Sequence, residues 1–179
     1  MIVGLSGKIA TGKTTAANYL HDSHGFTVLS TRDLLTGILE AKKKEASRRN
    51  LQDIGNKFIS LVGGGGFVAV MLQYLPEGDY VLDAIRYVDA IDYLRSKYGG
   101  QFHQIYVRAN DGVRYARMKK KEDMGTKLAE FKKIDEAPTE TDHDLESRSD
   151  SKIVNEGSYE DFYSKLDEAY STISRSRYL

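Results

Sequence analysis

The sequence predicts a doubly wound α/β domain built on one parallel sheet. Three observations predict it. Short apolar runs alternate with helical patterns along the 179 residues. A glycine-rich turn directly follows the first run, and the last segment carries a clear helical apolar period. Apolar runs without polar alternation suit strands buried on both faces, as in a parallel sheet. Five such strands with helices on both faces make a single domain over residues 1–179, and ligands belong at the carboxyl ends of the strands.

The elements follow in order. Ile2 to Ser6 is the first strand and Lys13 to His24 its helix. Phe26 to Ser30, introduced by Gly25, is the second strand. A long helical region runs from Arg32 to about Val62, with a break near Asn50 and a charged middle at Lys42-Lys43-Lys44-Glu45. Gly63 to Gly66 interrupts it, and a further helix from about Phe67 to Leu75 stops at Pro76. Tyr80 to Asp83 is a third strand ending in a carboxylate. Val88, Ile91, Leu94 and Tyr98 mark a helical face, closed by Gly99-Gly100. Phe102 to Val107 is the fourth strand, and Val113 to Lys121 a very basic helix. Residues 122–150 are polar and rich in acids, and are expected to be mobile and partly helical. Lys152 to Val154 is the fifth strand. Tyr159, Phe162, Tyr163, Leu166, Ala169, Tyr170 and Ile173 then line one face of the last helix. That face is either core or interface, so the oligomeric state stays open.

Composition narrows the function. Hydrophobic residues make up 40% and charged residues 29%, with zero formal net charge. A nucleic-acid partner bound through its phosphates calls for a basic excess, so none is expected. The chain has no cysteine, which excludes disulfides and thiolate metal sites. The apolar N-terminus is short and lacks a basic leader, and no run approaches the roughly 20 apolar residues of a membrane span. A cytoplasmic protein with no membrane partner is expected.

Gly7-Lys8-Ile9-Ala10-Thr11-Gly12-Lys13-Thr14 fits G-x-x-x-x-G-K-[ST] at every position, between a strand and a helix. A polyphosphate needs many aligned donors. Glycines let the backbone wrap around it, and the following helix adds free amides and the positive end of its dipole. Lys13 reaches the β- and γ-phosphates, and the Thr14 hydroxyl completes the coordination of Mg2+. The loop residues and Thr15 are therefore expected to bind ATP, with Mg2+.

Phosphoryl transfer needs positioning and charge neutralisation, so acids and arginines at other strand ends are candidates. Asp33, just past the second strand, either orients the acceptor or favours the first turn of its helix. Asp83 ends the third strand and is placed to hold the metal. Arg86 is placed to clamp an acceptor phosphate, unless the two form a structural ion pair. Arg114 and Arg117 share a helical face with Lys121. They either close over the transferring phosphate or belong to a solvated face. Asn155-Glu156-Gly157-Ser158 lies beside the nucleotide base or is a plain turn capped by Ser158. The four histidines form no metal-ligand pattern.

Three further segments carry a resemblance. Arg48-Arg49-Asn50-Leu51-Gln52-Asp53-Ile54-Gly55 is similar to an R-x-x-L-Q-x-x-G segment, Leu82-Asp83-Ala84-Ile85-Arg86 to a D-G-I-R strand end with Ala84 in place of glycine, and Ile153-Val154-Asn155-Glu156-Gly157 to an I-x-N-x-G close. With the loop, they make the whole chain resemble the nucleoside monophosphate kinase-like branch of P-loop NTPases. That branch includes adenylate kinase-related proteins, dephospho-coenzyme A kinases and deoxynucleoside monophosphate kinases. The resemblance implies ATP as donor and a nucleotide-like acceptor held by Asp33, Arg48, Gln52 and Arg86. It also implies a short lid over about 114–138, with Lys13, Asp33, Arg86, Arg114 and Arg117 in catalysis. The arginine-rich lid and R-I-x-x-Q of dephospho-coenzyme A kinases are absent. The alternatives are a kinase of a coenzyme-type hydroxyl and a nucleotide-binding ATPase switch. A GTPase is disfavoured, because Asn56-Lys57-Phe58 is followed by Ile59 where N-K-x-D needs an acid.

Overall fold

β1 (Ile2–Ser6) is buried at every residue and occupies the middle of the sheet. In the computed structural model, which describes residues 1–121, 131, 132, 135 and 143–176, it pairs in parallel with β3 (Tyr80–Asp83) and β4 (Phe102–Arg108). β2 (Thr27–Ser30) and β5 (Ser151–Val154) are the edges, giving the order β2-β3-β1-β4-β5, all parallel. The register sets Leu5, Asp83 and Ser30 side by side at the carboxyl ends. The expected five-stranded parallel sheet is therefore present.

Helices cover both faces. On one face α1 (Lys13–His24) and α7 (Tyr159–Ser176) bury Ala16, Leu20, Phe162 and Leu166 against Val3, Leu5 and Ile105. Most of the aromatic face expected on the last helix is core here: Phe162 is buried and Tyr163 stacks on Tyr19 at 4.1 Å, while Tyr159 is exposed. On the other face α4 (Val88–Tyr98), α6 (His143–Ser147) and the second half of α3 (Arg48–Leu72) pack Ile91, Leu94, Leu145 and Val68 on Ile2, Leu82 and Phe102. α2 (Thr31–Ala41) packs on α3 through Leu35, Leu39, Leu51 and Phe67. α5 (Asp111–Lys121) follows β4, and Asn110 Oδ1 accepts from the Val113 N–H at 3.0 Å near its start.

Two boundaries differ from expectation. The charged run Lys42–Glu45 lies between α2 and α3, not inside a helix. Lys43 takes φ 54, and the Lys43 and Lys44 N–H groups close the end of α2 on Glu40 and Leu39 carbonyls. The break expected near Asn50 ends at Ser47, which caps α3 by accepting from the Asn50 N–H at 3.3 Å. The four glycines do not interrupt α3 but kink it, at Gly63 alone (φ 70, ψ 177). Asp89 of α4 accepts from the Gly65 N–H at 3.1 Å and so caps the helix beyond the kink from outside. A Cβ at Gly64 would stand 2.4 Å from Tyr87 Cβ, so glycine lets α3 approach α4 here.

Arg49–Leu72 is, among the described residues, the one helix long and apolar enough on average to cross a membrane. It is kinked at Gly63, and its Phe67, Val68 and Leu72 are buried in the domain. Most of the expected lid lies outside the described residues. Phe131 and Asp135 are described, and both pack back onto α5.

Candidate active site

The loop between β1 and α1 owes its course to backbone that L-residues avoid. Gly7 and Gly12 take φ 133 and 107. A Cβ at Gly12 would meet Asn155 Nδ2 at 2.4 Å, and one at Gly7 the Val107 carbonyl oxygen at 2.1 Å. Lys13 Nζ folds over the loop and donates to the carbonyls of Gly7 (2.5 Å) and Lys8 (2.8 Å). The Thr11 hydroxyl also donates to the Lys8 carbonyl, at 3.0 Å. Lys13 is thereby held above the loop and the N-terminus of α1, where an anion is favoured by both the dipole and the ammonium.

Thr14 and Asp83 meet at one corner of this cradle. The Thr14 hydroxyl donates to Asp83 Oδ2 at 2.9 Å, because the register ends β3 beside β1. A hydroxyl and a carboxylate in contact are hard oxygen donors, which fit Mg2+ completed by phosphate oxygens and water.

The acceptor-side candidates are more scattered. Asp33 is exposed in the first turn of α2, and its N–H donates to Ser30 Oγ at 3.3 Å. Its backbone therefore closes the helix cap, while the carboxylate stands at the end of β2. Gln52 is exposed on α3; Arg48 opens that helix, but its side chain lies outside the described residues. Arg86 is exposed three residues past Asp83. Between them Ala84 takes φ 82, a left-handed value that favours glycine, and the Ile85 N–H donates to Leu5 O at 2.8 Å. The glycine of the resembled D-G-I-R pattern thus has a backbone reason.

Arg114 and Arg117 both turn toward the backbone of the phosphate loop. Arg114 is only 1% exposed. Its Nη1 and Nη2 donate to the two oxygens of Asp135, at 2.5 and 2.9 Å. Nη2 also donates to Asp111 (2.7 Å), and Nη1 to the Ile9 carbonyl (3.3 Å). Arg117 donates to the carbonyls of Ala10 (3.4 Å) and Thr11 (3.3 Å), and to the carbonyl (3.1 Å) and Oδ1 (3.2 Å) of Asn155. Asn155 is buried, and its Nδ2 donates to Thr11 O at 2.8 Å. Both guanidiniums thus touch the loop's own backbone. Neither faces solvent on a helix surface, because the carbonyls behind the loop and Asp135 draw them inward.

Residues 3–140 match the AAA domain family. The chain belongs to this family. No curated protein matches its sequence. In three dimensions this AAA domain is similar to TT1252 from Thermus thermophilus (20% identity, TM-score 0.63, covering 98% of this chain and 96% of that one). It is also similar to a gluconokinase from Sinorhizobium meliloti 1021 (12%, 0.62, 98% and 94%) and the dephospho-CoA kinase from Campylobacter jejuni (17%, 0.58, 98% and 98%). At such identities the likeness is one of fold.

Two residues of the AAA domain's site escape a sequence reading. Asp135 lies in the acidic segment after α5 and accepts from Arg114 and, at 3.4 Å, from Lys8 of the loop. The hydrogen bonds from Arg114 hold its carboxyl below the usual carboxylate range, against the opposing effect of burial. Nothing in the local sequence singles it out among its acidic neighbours. Glu156 accepts from the Asn110 N–H at 2.8 Å and ties the end of β4 to that of β5. Its place in I-x-N-x-G was a signal, but for the neighbouring residues.

Proposed function

We propose that the protein is an ATP-dependent kinase that transfers the γ-phosphoryl group to a small phosphate-bearing acceptor, a nucleoside or deoxynucleoside monophosphate. The observation that carries this reading is the contact of Asp83 with Thr14, the neighbour of Lys13, with Arg86 three residues beyond Asp83. A metal-side carboxylate and an arginine then issue from one strand end, beside the phosphate loop. Lys13 would hold the β- and γ-phosphates and follow the charge as it moves. Thr14 and Asp83 would hold Mg2+, which supplies neutralisation of the phosphate oxygens. Arg86, with Arg48 and Gln52, would receive the acceptor's phosphate. A phosphate acceptor is already anionic, so it needs an arginine clamp more than a base.

Asp33 favours a second reading. A hydroxyl acceptor must lose its proton, and an exposed carboxylate at the end of β2 is suited to take it. A gluconokinase and a dephospho-CoA kinase share the fold, so both substrates belong in the same test. The test measures ADP release with each ribo- and deoxynucleoside monophosphate, gluconate and dephospho-CoA. The leading reading expects a monophosphate to stimulate turnover, with Asp33→Asn reducing kcat only modestly. Stimulation by a hydroxyl acceptor alone, with kcat collapsing in Asp33→Asn, selects the second reading. ATP turnover indifferent to every acceptor sinks both and leaves an ATPase switch.

A further inference from the structure

Behind the phosphate loop lies a set of side chains that the proposed reaction does not use. The loop's outward carbonyls are each engaged: Ile9 by Arg114, Ala10 by Arg117, and Thr11 by Arg117 and Asn155. A trans peptide points its C=O and the next N–H in opposite directions. Holding the Ile9 carbonyl outward therefore aims the Ala10 amide into the cradle, and holding Thr11 does the same for Gly12. Ala10 itself sits at φ 61, a conformation that an alanine keeps only where its surroundings impose it.

The brace needs an anchor. Arg114 is buried, and a buried guanidinium is stable only when paired. Asp111 is one partner but is 82% exposed on its side chain, whereas Asp135 is buried and takes both Nη groups. Asp135 also holds Lys8 Nζ, so it touches the loop by a second route. Resting on the nucleotide-binding reading, we propose that Asp135 is a positioning residue for the phosphate loop. Acting through Arg114, and together with the Arg117–Asn155 pair, it fixes the Ile9 and Thr11 carbonyls outward so that the Ala10 and Gly12 amides face the α- and β-phosphates. Arg114 and Arg117 then act on the nucleotide through the backbone and not by contact with the γ-phosphate.

The test compares Mg2+-bound adenylyl imidodiphosphate, ADP and inorganic tripolyphosphate as ligands of the full chain, by calorimetry. Melting curves check that each variant is folded. Asp135→Asn is expected to keep a cooperative melt and weaken all three ligands by about tenfold or more, the scale by which loss of an outer support weakens metal sites. Asp135→Glu is expected to recover part of that loss. Arg117→Met, at a half-buried side chain, removes the other arm of the brace and decides the case should Asp135→Asn fail to fold. The brace predicts equal losses for ADP and the ATP analogue. A loss confined to the analogue means direct γ-phosphate contact and overturns the proposal, as does unchanged binding in folded Asp135→Asn. Wild-type protein that binds all three ligands but phosphorylates no acceptor sinks the kinase reading and leaves the brace standing.

Discussion

One substitution, glycine to alanine, should have opposite signs in α2 and α3. Gly37 lies within α2, and a Cβ there meets nothing within 4 Å. Alanine gains about 0.8–1 kcal/mol of helix propensity over glycine, so Gly37→Ala should stabilise by about that amount. Gly64 also lies within a helix, but its Cβ would stand 2.4 Å from Tyr87 Cβ and 2.6 Å from Asp89 Oδ1. Tyr87 Cβ cannot swing away, so backbone must move, at about 1–3 kcal/mol. Displacing Asp89 would also weaken the cap on the Gly65 N–H, another ~1 kcal/mol. The propensity gain offsets about 1 kcal/mol, leaving a net loss of about 1–3 kcal/mol. At ~2–4 °C per kcal/mol for a chain of this size, scanning calorimetry should raise the midpoint by ~2–4 °C for Gly37→Ala and lower it by ~2–12 °C for Gly64→Ala. A raised midpoint in Gly64→Ala would refute the reasoning, because close approach of α3 and α4 would then not be what the glycine run provides.

Other outcomes follow from the same geometry. Gly12→Ala should leave a folded protein with nucleotide binding lost, since φ 107 and the 2.4 Å approach to Asn155 both oppose a methyl; retained binding of an ATP analogue counts against the loop geometry. Asp83→Asn should keep its hydrogen bond to Thr14 but demand at least about tenfold more Mg2+ for half-maximal activity, and an unchanged Mg2+ titration removes Asp83 from the metal site. His103 is half-buried beside Ser151, and burial pushes its pKa below the usual 6.5, with Arg95 adding to the shift and Asp150 opposing it. The unfolded chain therefore binds this proton first. Stability from His103 is full above about pH 6.5 and falls as pH drops toward the folded pKa. Urea unfolding at pH 7.5 and 5.5 should show the decline, and His103→Gln should flatten it.

The sequence by itself determined the sheet and the loop, for reasons that are local. Apolar runs such as Ile2–Ser6 and Phe102–Val107 have one stable use, as strands covered on both faces. Gly7 to Thr14 specifies its turn through the conformations that glycine allows. The acid ending β3 was also legible, because strand ends in such a sheet point to the ligand edge. The end of α2 was misplaced because Lys42–Glu45 carries ordinary helix formers, and only the turn at Lys43 and the cap at Ser47 stop the helix there. The kink at Gly63 depends on Asp89, 26 residues away, which no window on the sequence contains. The basic face of α5 reads equally as charge for a phosphate or as a solvated surface. Only the tertiary structure gives Arg114 and Arg117 their partners, because carbonyls from residues 9–11 and the Asp135 carboxylate converge behind the loop. Pattern can specify which groups are charged, but what they face depends on segments over a hundred residues apart, and that is settled only when the chain folds.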